Sequence, residues 1–463
     1  SPQYALYSSD IFIVAPTESE ALEIYNDFLT LYPEAQVYLF PSWGNVPYRP
    51  ATKGSITFGK RAGVLSKILD RTNTINFHDK PRVFILTQRI FLSKLPAPQY
   101  LQSLSFKLRK GDSLDTSKIA EKLNKLGYTR VPKVNVRGEF SLRGEVLDIF
   151  LPCDEYASRV IFDFDEIEGF KEFDTDNQVT VGSKEDLFIY PMKEIVWTEE
   201  LIKLADKKLQ AYQESAISSD KTSNQSQVAD ALQNLYSIHL PFTEEALKFK
   251  DNLLTELSVS GEGEGEEFLY PLLWDKDYSL LDYIDPSSFI LFYNYDKQEN
   301  AELIIQREYT KFYRTSRESM PVLPPDQMLL DFKKEISNVS KPILFRSLLK
   351  EDEKELATIN IPSEPARSFF GNLNYMKEEL SRLQEDNWRI FIYTDNENQQ
   401  LRIHEIFKDF IDIDDSNVNP VCLIPSPISA GFSIPDTKLL VIQENEIFGR
   451  RKYVPKSVNK AKS

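Results

Sequence analysis

The strongest constraint on the fold is a change in hydrophobic pattern about a quarter of the way along the chain. At the start, short apolar runs at Ile11–Ala15 (IFIVA), 37–40 (VYLF) and 83–87 (VFILT) alternate with helix-like stretches at Glu18–Leu31 and Ile56–Leu69. Buried strands separated by helices are the signature of βαβ units and a parallel sheet. From residue 105 the pattern differs. Asp115 and Thr116 are capping candidates ahead of Ile119, Leu123 and Leu126, whose spacing predicts one amphipathic helix. Strand-like segments follow at 130–136, 139–150, 159–164 and 170–173. A helix and then a meander of antiparallel strands make an α+β insertion, not a continuation of the first sheet.

Helical pattern returns at 198–214, and the polar stretch 215–227 (SAISSDKTSNQSQ) reads as a loop. GEGEGEEF at 261–268 reads as a flexible acidic turn, 290–293 as a buried strand, 302–313 as a helix, and PVLPP at 321–325 as an extended connection. A further alternation at 343–346, 373–386, 389–394, 399–410, 421–424 and 438–442 suits a separate small α/β domain. Residues 450–463 carry six basic side chains and no acid, an exposed tether. The expected organisation is a first α/β part (1–104), the α+β insertion (105–190), the second part of the α/β domain (191–330), the small α/β domain (331–449) and the linker (450–463). A chain of 463 residues exceeds one hydrophobic core, which agrees with about three domains. Its opening, SPQYALYSSD, runs almost directly into a strand, as a fragment would.

Charge and cysteine content narrow the function classes. With 55 Lys/Arg against 71 Asp/Glu the formal charge is −16, which repels duplex nucleic acid unless a local basic stripe overcomes it. The distribution is uneven: residues 101–138 hold nine basic and three acidic side chains, and residues 139–177 hold three and twelve. Arg143 and Arg159 stand nearly alone in the acidic part. Cys153 and Cys422 lie in different expected domains, so a disulfide framework is not expected and a reducing cytoplasm is. His78, His239 and His404 lack ligand-like spacing, and no metal site is expected. No apolar run reaches membrane-spanning length and no signal-peptide pattern opens the chain.

Two motifs imitate catalytic sites. Residues 54–60, GSITFGK, fit G-x-x-x-x-G-K, yet the next residue is Arg61, where a phosphate loop needs a hydroxyl for Mg²⁺. The preceding PYRPATK holds two prolines and no buried strand, so a glycine-marked helix start is the expectation. Asp165 and Glu166 are adjacent, and on a strand their carboxylates would point apart; a charged turn is expected.

Residues 128–152, YTRVPKVNVRGEFSLRGEVLDIFLP, resemble a segment shared by UvrB proteins and bacterial transcription-repair coupling factors, and 158–174, SRVIFDFDEIEGFKEFD, resembles the next hairpin of the same domain. LFPSWGNVPY (39–48) and ISAGFSIPDTKLLVIQENEIFG (428–449) are similar to the coupling factors specifically. The resemblance implies an N-terminal module: a degenerate, helicase-like (RecA-type) domain without a nucleotide site, interrupted by an α+β domain that recruits UvrA. It also implies that RNA polymerase, double-stranded DNA, ATP and Mg²⁺ are bound by an absent C-terminal part, an ATP-driven translocase. That translocase part would mask the UvrA surface through an intramolecular contact. No cofactor is expected in this portion. Arg143 and Arg159 fall on the family's UvrA-contacting arginines. Where the family commonly has an aromatic four residues after the second arginine, this chain has Asp163, and its neighbours Phe162 and Phe164 are the two candidates for that contact. The rival reading, an active UvrB-like ATPase or helicase, requires a phosphate loop and helicase motifs that this sequence does not present.

Overall fold

The computed structural model describes residues 9–44, 46–70, 81–220, 236–347, 357–408 and 421–449. Contacts divide the chain into two units, Ser1–Ala21 with Tyr38–Ser347, and Leu22–Val37 with Leu348–Ser463.

The first unit contains a five-stranded sheet of order β13-β12-β1-β3-β2. Its strands are β1 (Ile11–Ala15), β2 (Gln36–Leu39), β3 (Arg82–Thr87), β12 (Phe289–Phe292) and β13 (Pro342–Leu344). β1 pairs in parallel with both β3 and β12, and β12 pairs in parallel with β13. Phe12 and Phe84 on one face and Ile13 and Ile85 on the other are all buried, as a sheet covered on both faces requires, and the Phe12 and Phe84 rings stack at 5.0 Å. Helices α1 (Glu18–Leu31) and α2 (Ile56–Leu69) follow β1 and β2. The segment at 343–346, expected in the small later domain, instead closes this sheet, because Ile290 and Leu291 register with Pro342 and Ile343.

The insertion has a six-stranded sheet of order β10-β9-β8-β7-β6-β5. The strands are β5 (Thr129–Arg130), β6 (Glu139–Arg143), β7 (Val146–Ile149), β8 (Ala157–Asp163), β9 (Glu166–Phe173) and β10 (Thr180–Lys184). A separate antiparallel pair, β4 (Phe106–Arg109) with β11 (Asp186–Ile189), joins its two ends. Helix α3 (Thr116–Lys125) starts at Asp115, whose side chain accepts the backbone N–H groups of Ser117 and Lys118 at 3.0 and 3.1 Å. Ile119, Ala120 and Leu123 of α3 join the core of Phe140, Leu147, Ile149, Val160, Phe162 and Phe170.

Two strand expectations need correction. Segment 139–150 is a hairpin, reversing at Gly144 in a left-handed conformation (φ +56°). Segment 130–136 contributes only β5; beyond it Glu139 Oε2 accepts the N–H groups of Asn135 and Val136 at 2.8 and 2.9 Å, holding that stretch in a local turn.

The insertion packs tightly on α2. A Cβ at Gly63 would lie 2.6 Å from Cys153 Sγ and 2.7 Å from Tyr190 Cε2, and one at Gly59 would lie 2.7 Å from Pro152 Cγ. Lys67 Nζ donates to Asp154 Oδ1 at 3.1 Å, and Lys184 Nζ donates to Asp154 Oδ2 at 3.1 Å. Burial opposes the charge on Asp154, but Lys67 and Lys184 outweigh it and hold the carboxyl below its ordinary value.

Helix α4 (Glu199–Asp220) continues through 215–220, where a loop was expected, because Ala216 is fully buried. Residues 221–227 of that expected loop lie outside the described residues. Helix α5 (Glu244–Ser260), capped by Thr243 and ended by Gly261 at φ +70°, had no sequence expectation. The GEGEGEEF run is not a solvated turn. Glu266 is buried, with Lys193 Nζ at 3.1 Å, Tyr270 OH at 2.8 Å and the Gly263 N–H at 2.9 Å. Helix α6 (Tyr295–Ser316) completes the longer elements of this unit.

The second unit holds a five-stranded sheet of order β14-β17-β18-β15-β16. Its strands are β14 (Glu364–Pro365), β15 (Arg389–Tyr393), β16 (Val421–Ile424), β17 (Phe432–Ile434) and β18 (Leu439–Gln443). β15 pairs in parallel with β16 and β18, and helices α7 (Leu373–Glu385) and α8 (Glu397–Phe407) bury Met376, Leu380, Ile403 and Phe407 against Ile390 and Ile392. The expected tether at 450–463 lies outside the described residues.

Candidate functional site

Side chains alternate across the insertion's sheet, and the face away from α3 carries the sites expected from sequence. Phe140, Leu147, Ile149, Val160 and Phe162 point to the α3 core. Ser141 and Arg143 of β6, Val146 and Asp148 of β7, Arg159 and Ile161 of β8 and Lys171 of β9 therefore share the outer face. The ladder places Asp148 directly opposite Arg159, and Arg159 opposite Lys171. Arg143 faces Val146, one step along the same face.

Asp148 brings the two arginines together. Arg159 donates through Nε to Asp148 Oδ1 at 2.7 Å and through Nη2 to Oδ2 at 3.0 Å, a bidentate pair. Arg143 Nη2 donates to the same Oδ2 at 3.2 Å. The carboxylate side chain is 2% exposed, whereas Arg143 is 54% and Arg159 25% exposed. Hydrogen bonding to Asp148 raises the Arg159 guanidinium above its ordinary value. Its far side rests on the Phe173 ring at 4.5 Å, within a small apolar cluster of Val134, Phe150, Ala157 and Phe173.

The two phenylalanines part company. Phe162 is 2% exposed inside the α3 core, so its ring is not available at the surface, which removes it as a contact candidate in this conformation. Phe164 sits at the β8–β9 turn in a left-handed conformation (φ +50°) and is 84% exposed. The Phe162 N–H donates to Glu145 O at 3.0 Å, so the Phe164 turn and the Arg143 turn occupy the same end of the sheet. Asp163, where the resemblance leads one to expect an aromatic, is exposed and pairs across the turn with Glu166. Of the Asp165–Glu166 pair expected in a turn, Asp165 lies in that turn and Glu166 opens β9.

Sequence reasoning missed Asp148. The available signal was a single carboxylate in LDIF, on the face opposite Leu147 and Ile149 and within one strand of each singled-out arginine.

At GSITFGK, Gly54 (φ +67°) turns the chain and Ser55 caps α2 by accepting the Thr57 N–H at 3.3 Å. Arg61 points inward. It is 1% exposed, pairs with Glu194, donates to Pro41 O at 2.9 Å and lies over the Trp43 ring at 4.3 Å. Among the described residues no cluster of three or more His, Cys, Asp or Glu could hold a metal ion, and no helix is long and apolar enough to cross a membrane.

Comparison with known proteins places a family match on this same region. Residues 106–195 match the UvrB interaction domain. The chain is similar to the transcription-repair-coupling factor of Borreliella burgdorferi (25% identity over 458 residues, 98% of this chain and 35% of that protein). It is similar to the Bacillus subtilis protein of the same name (21% over 455 residues, 95% and 36%) and to that of Rickettsia bellii (28% over 329 residues, 69% and 25%). The chain thus spans about a third of the length of the first two of these relatives.

Proposed function

We propose that this chain is a portion of a transcription-repair-coupling factor, as its similarity to those proteins and its UvrB interaction domain support, and that its insertion is a docking module that recruits UvrA. The observation that carries the reading is the buried Asp148 carboxylate presenting two partly exposed guanidinium groups on one sheet face. A guanidinium has five N–H donors. One of five is used by Arg143 and two of five by Arg159 in the contacts to Asp148, leaving four and three for a partner. Planar forks suit carboxylates, and interface arginines of this kind are frequent hot spots. Phe164, exposed at the same end, is the aromatic candidate that replaces the family residue at Asp163.

This portion is non-catalytic in our reading, because Arg61 stands inside the core where a phosphate loop places its hydroxyl. In the whole protein, further parts would displace stalled RNA polymerase by ATP- and Mg²⁺-dependent translocation on duplex DNA in the cytoplasm. The same docking face would be covered by the translocase part until polymerase is engaged.

Quantitative binding of purified UvrA to this chain tests the proposal. The R143A/R159A double variant should bind at least 30-fold more weakly, given about 2 kcal/mol for loss of a hot spot. Unchanged affinity in a double variant with a native melting curve would defeat the site assignment.

A further inference from the structure

We infer that Asp148 is the positioning residue of the docking surface, a buried template that presets Arg143 and Arg159 as one double fork for carboxylates on the partner. The inference rests on the docking reading and adds to it the residue that neither chemistry nor partner touches directly.

The fold itself does not call for a carboxylate at this position. Its partners across the ladder are Ser141 and Arg159, and further along the same face stand the apolar Val146, Phe150, Ala157 and Ile161, of which Phe150 and Ala157 already form a small core. Taking a carboxylate out of water is costly, and an apolar residue of similar volume commonly serves a fold as well or better. What Asp148 provides is geometric: three hydrogen bonds, at 2.7, 3.0 and 3.2 Å, fix two long side chains from two different strands. Phe173 closes the far side of Arg159. Without the shared anion the two cations would repel and splay. With it, both arginines give up part of their rotamer freedom before the partner arrives, Arg159 most through its bidentate pair.

The charge stoichiometry indicates the partner chemistry. One carboxylate holds two guanidinium groups, so the cluster keeps one unbalanced positive charge, and Lys171 stands opposite Arg159 on the next strand. The complementary surface is one presenting acidic side chains, gripped by the outward N–H groups of the forks.

Asp148→Asn separates positioning from simple attraction, because it keeps the side-chain shape and makes the site more positive by one charge. Attraction alone would tighten binding to an acidic surface; loss of positioning weakens it. The experiment measures UvrA association and dissociation rates for the full chain as wild type, D148N, R143A/R159A and the triple variant, with melting curves for each. Positioning requires D148N to bind about tenfold more weakly, through faster dissociation with an association rate that does not fall. In the R143A/R159A background D148N should then change affinity less than twofold. Equal or tighter binding by D148N overturns the inference. An equal loss in both backgrounds also overturns it, since that marks a fold defect. A poorly folded D148N would lower the active fraction without changing the dissociation rate; Arg159→Lys, which keeps the charge and loses the bidentate fork, then decides the case, and binding as tight as wild type refutes positioning. If R143A/R159A itself binds normally, the docking reading fails first, and that outcome is distinct from a failure at Asp148 alone.

Discussion

Glu267 offers a quantitative test of how the first unit is held together. Its side chain is buried beside the Arg61–Glu194 pair; Oε1 accepts the Ala51 N–H at 2.7 Å, and Oε2 is buried with no hydrogen-bond partner among the described residues. Burial pushes its carboxyl up to about 8 from the ordinary 4.5, against the lowering effect of the Ala51 hydrogen bond. A raised acid binds its proton more tightly in the folded state than in the unfolded one. Stability is therefore full below about pH 4.5 and is lost as pH rises through about 8. At 1.36 kcal/mol per pH unit the loss between pH 6 and 9 is about 2–3 kcal/mol. For a unit of this size that is a fall in melting temperature of about 3–4 °C. Glu267→Gln cannot ionise, and its Oε1 can still accept the Ala51 N–H. Calorimetric melts of wild type and E267Q across pH 6–9 compare slopes, so that any constant cost of the amide drops out. Parallel curves would refute the argument, because they would mean that Glu267 is not neutral in the fold.

Asp154→Asn should destabilise the first unit by about 2–4 kcal/mol at pH 7, because it leaves Lys67 and Lys184 without their shared carboxylate. The Asp154 carboxyl is lowered, so its contribution is present above its ordinary 3.8 and lost as pH falls through the folded value. Urea midpoints at pH 7 and pH 3 should show the gap closing, and a constant gap contradicts the pairing. Gly63→Ala should cost about 1–3 kcal/mol, since its Cβ meets Cys153 and Tyr190; a variant that melts and resists proteolysis like wild type would count against the close contact. Lys60→Ala should leave ATP–Mg²⁺ binding at background level, as in wild type. Saturable binding that the variant abolishes would restore the phosphate-loop reading.

The regular elements were legible where one segment determines them. The Ile11–Ala15 strand and the helices Glu18–Leu31 and Ile56–Leu69 coincide with their apolar periods, and the Asp115 cap sits where its side chain reaches the next turn. The failures share a physical cause, partners far away in sequence. Within the acidic run at 261–268, Glu266 can be buried because Lys193, more than sixty residues earlier, pairs with it. The 139–150 hairpin was hidden because period two continues on both sides of Gly144. Both arginines could be singled out from charge contrast, but their convergence could not be seen without the β6-β7-β8 order.

Two buried ion pairs in this unit show why charge burial alone does not indicate a site. Arg61 and Glu194 are each 1% exposed and balance one to one, with Pro41 O and Trp43 taking up further faces of the guanidinium. At 1% exposure that arginine offers no donor to a partner, and its removal should read out as stability. At Asp148 the buried anion is outnumbered two to one, and the cations lean outward with donors unspent. An arrangement that only stabilised the sheet would gain nothing from the second arginine, whose single 3.2 Å bond and half-exposed chain contribute about 0–1 kcal/mol at most. Arg143→Ala should therefore leave the melting temperature nearly unchanged while weakening UvrA binding. A variant that lost stability and kept its affinity would reverse the assignment of this pair from docking to folding.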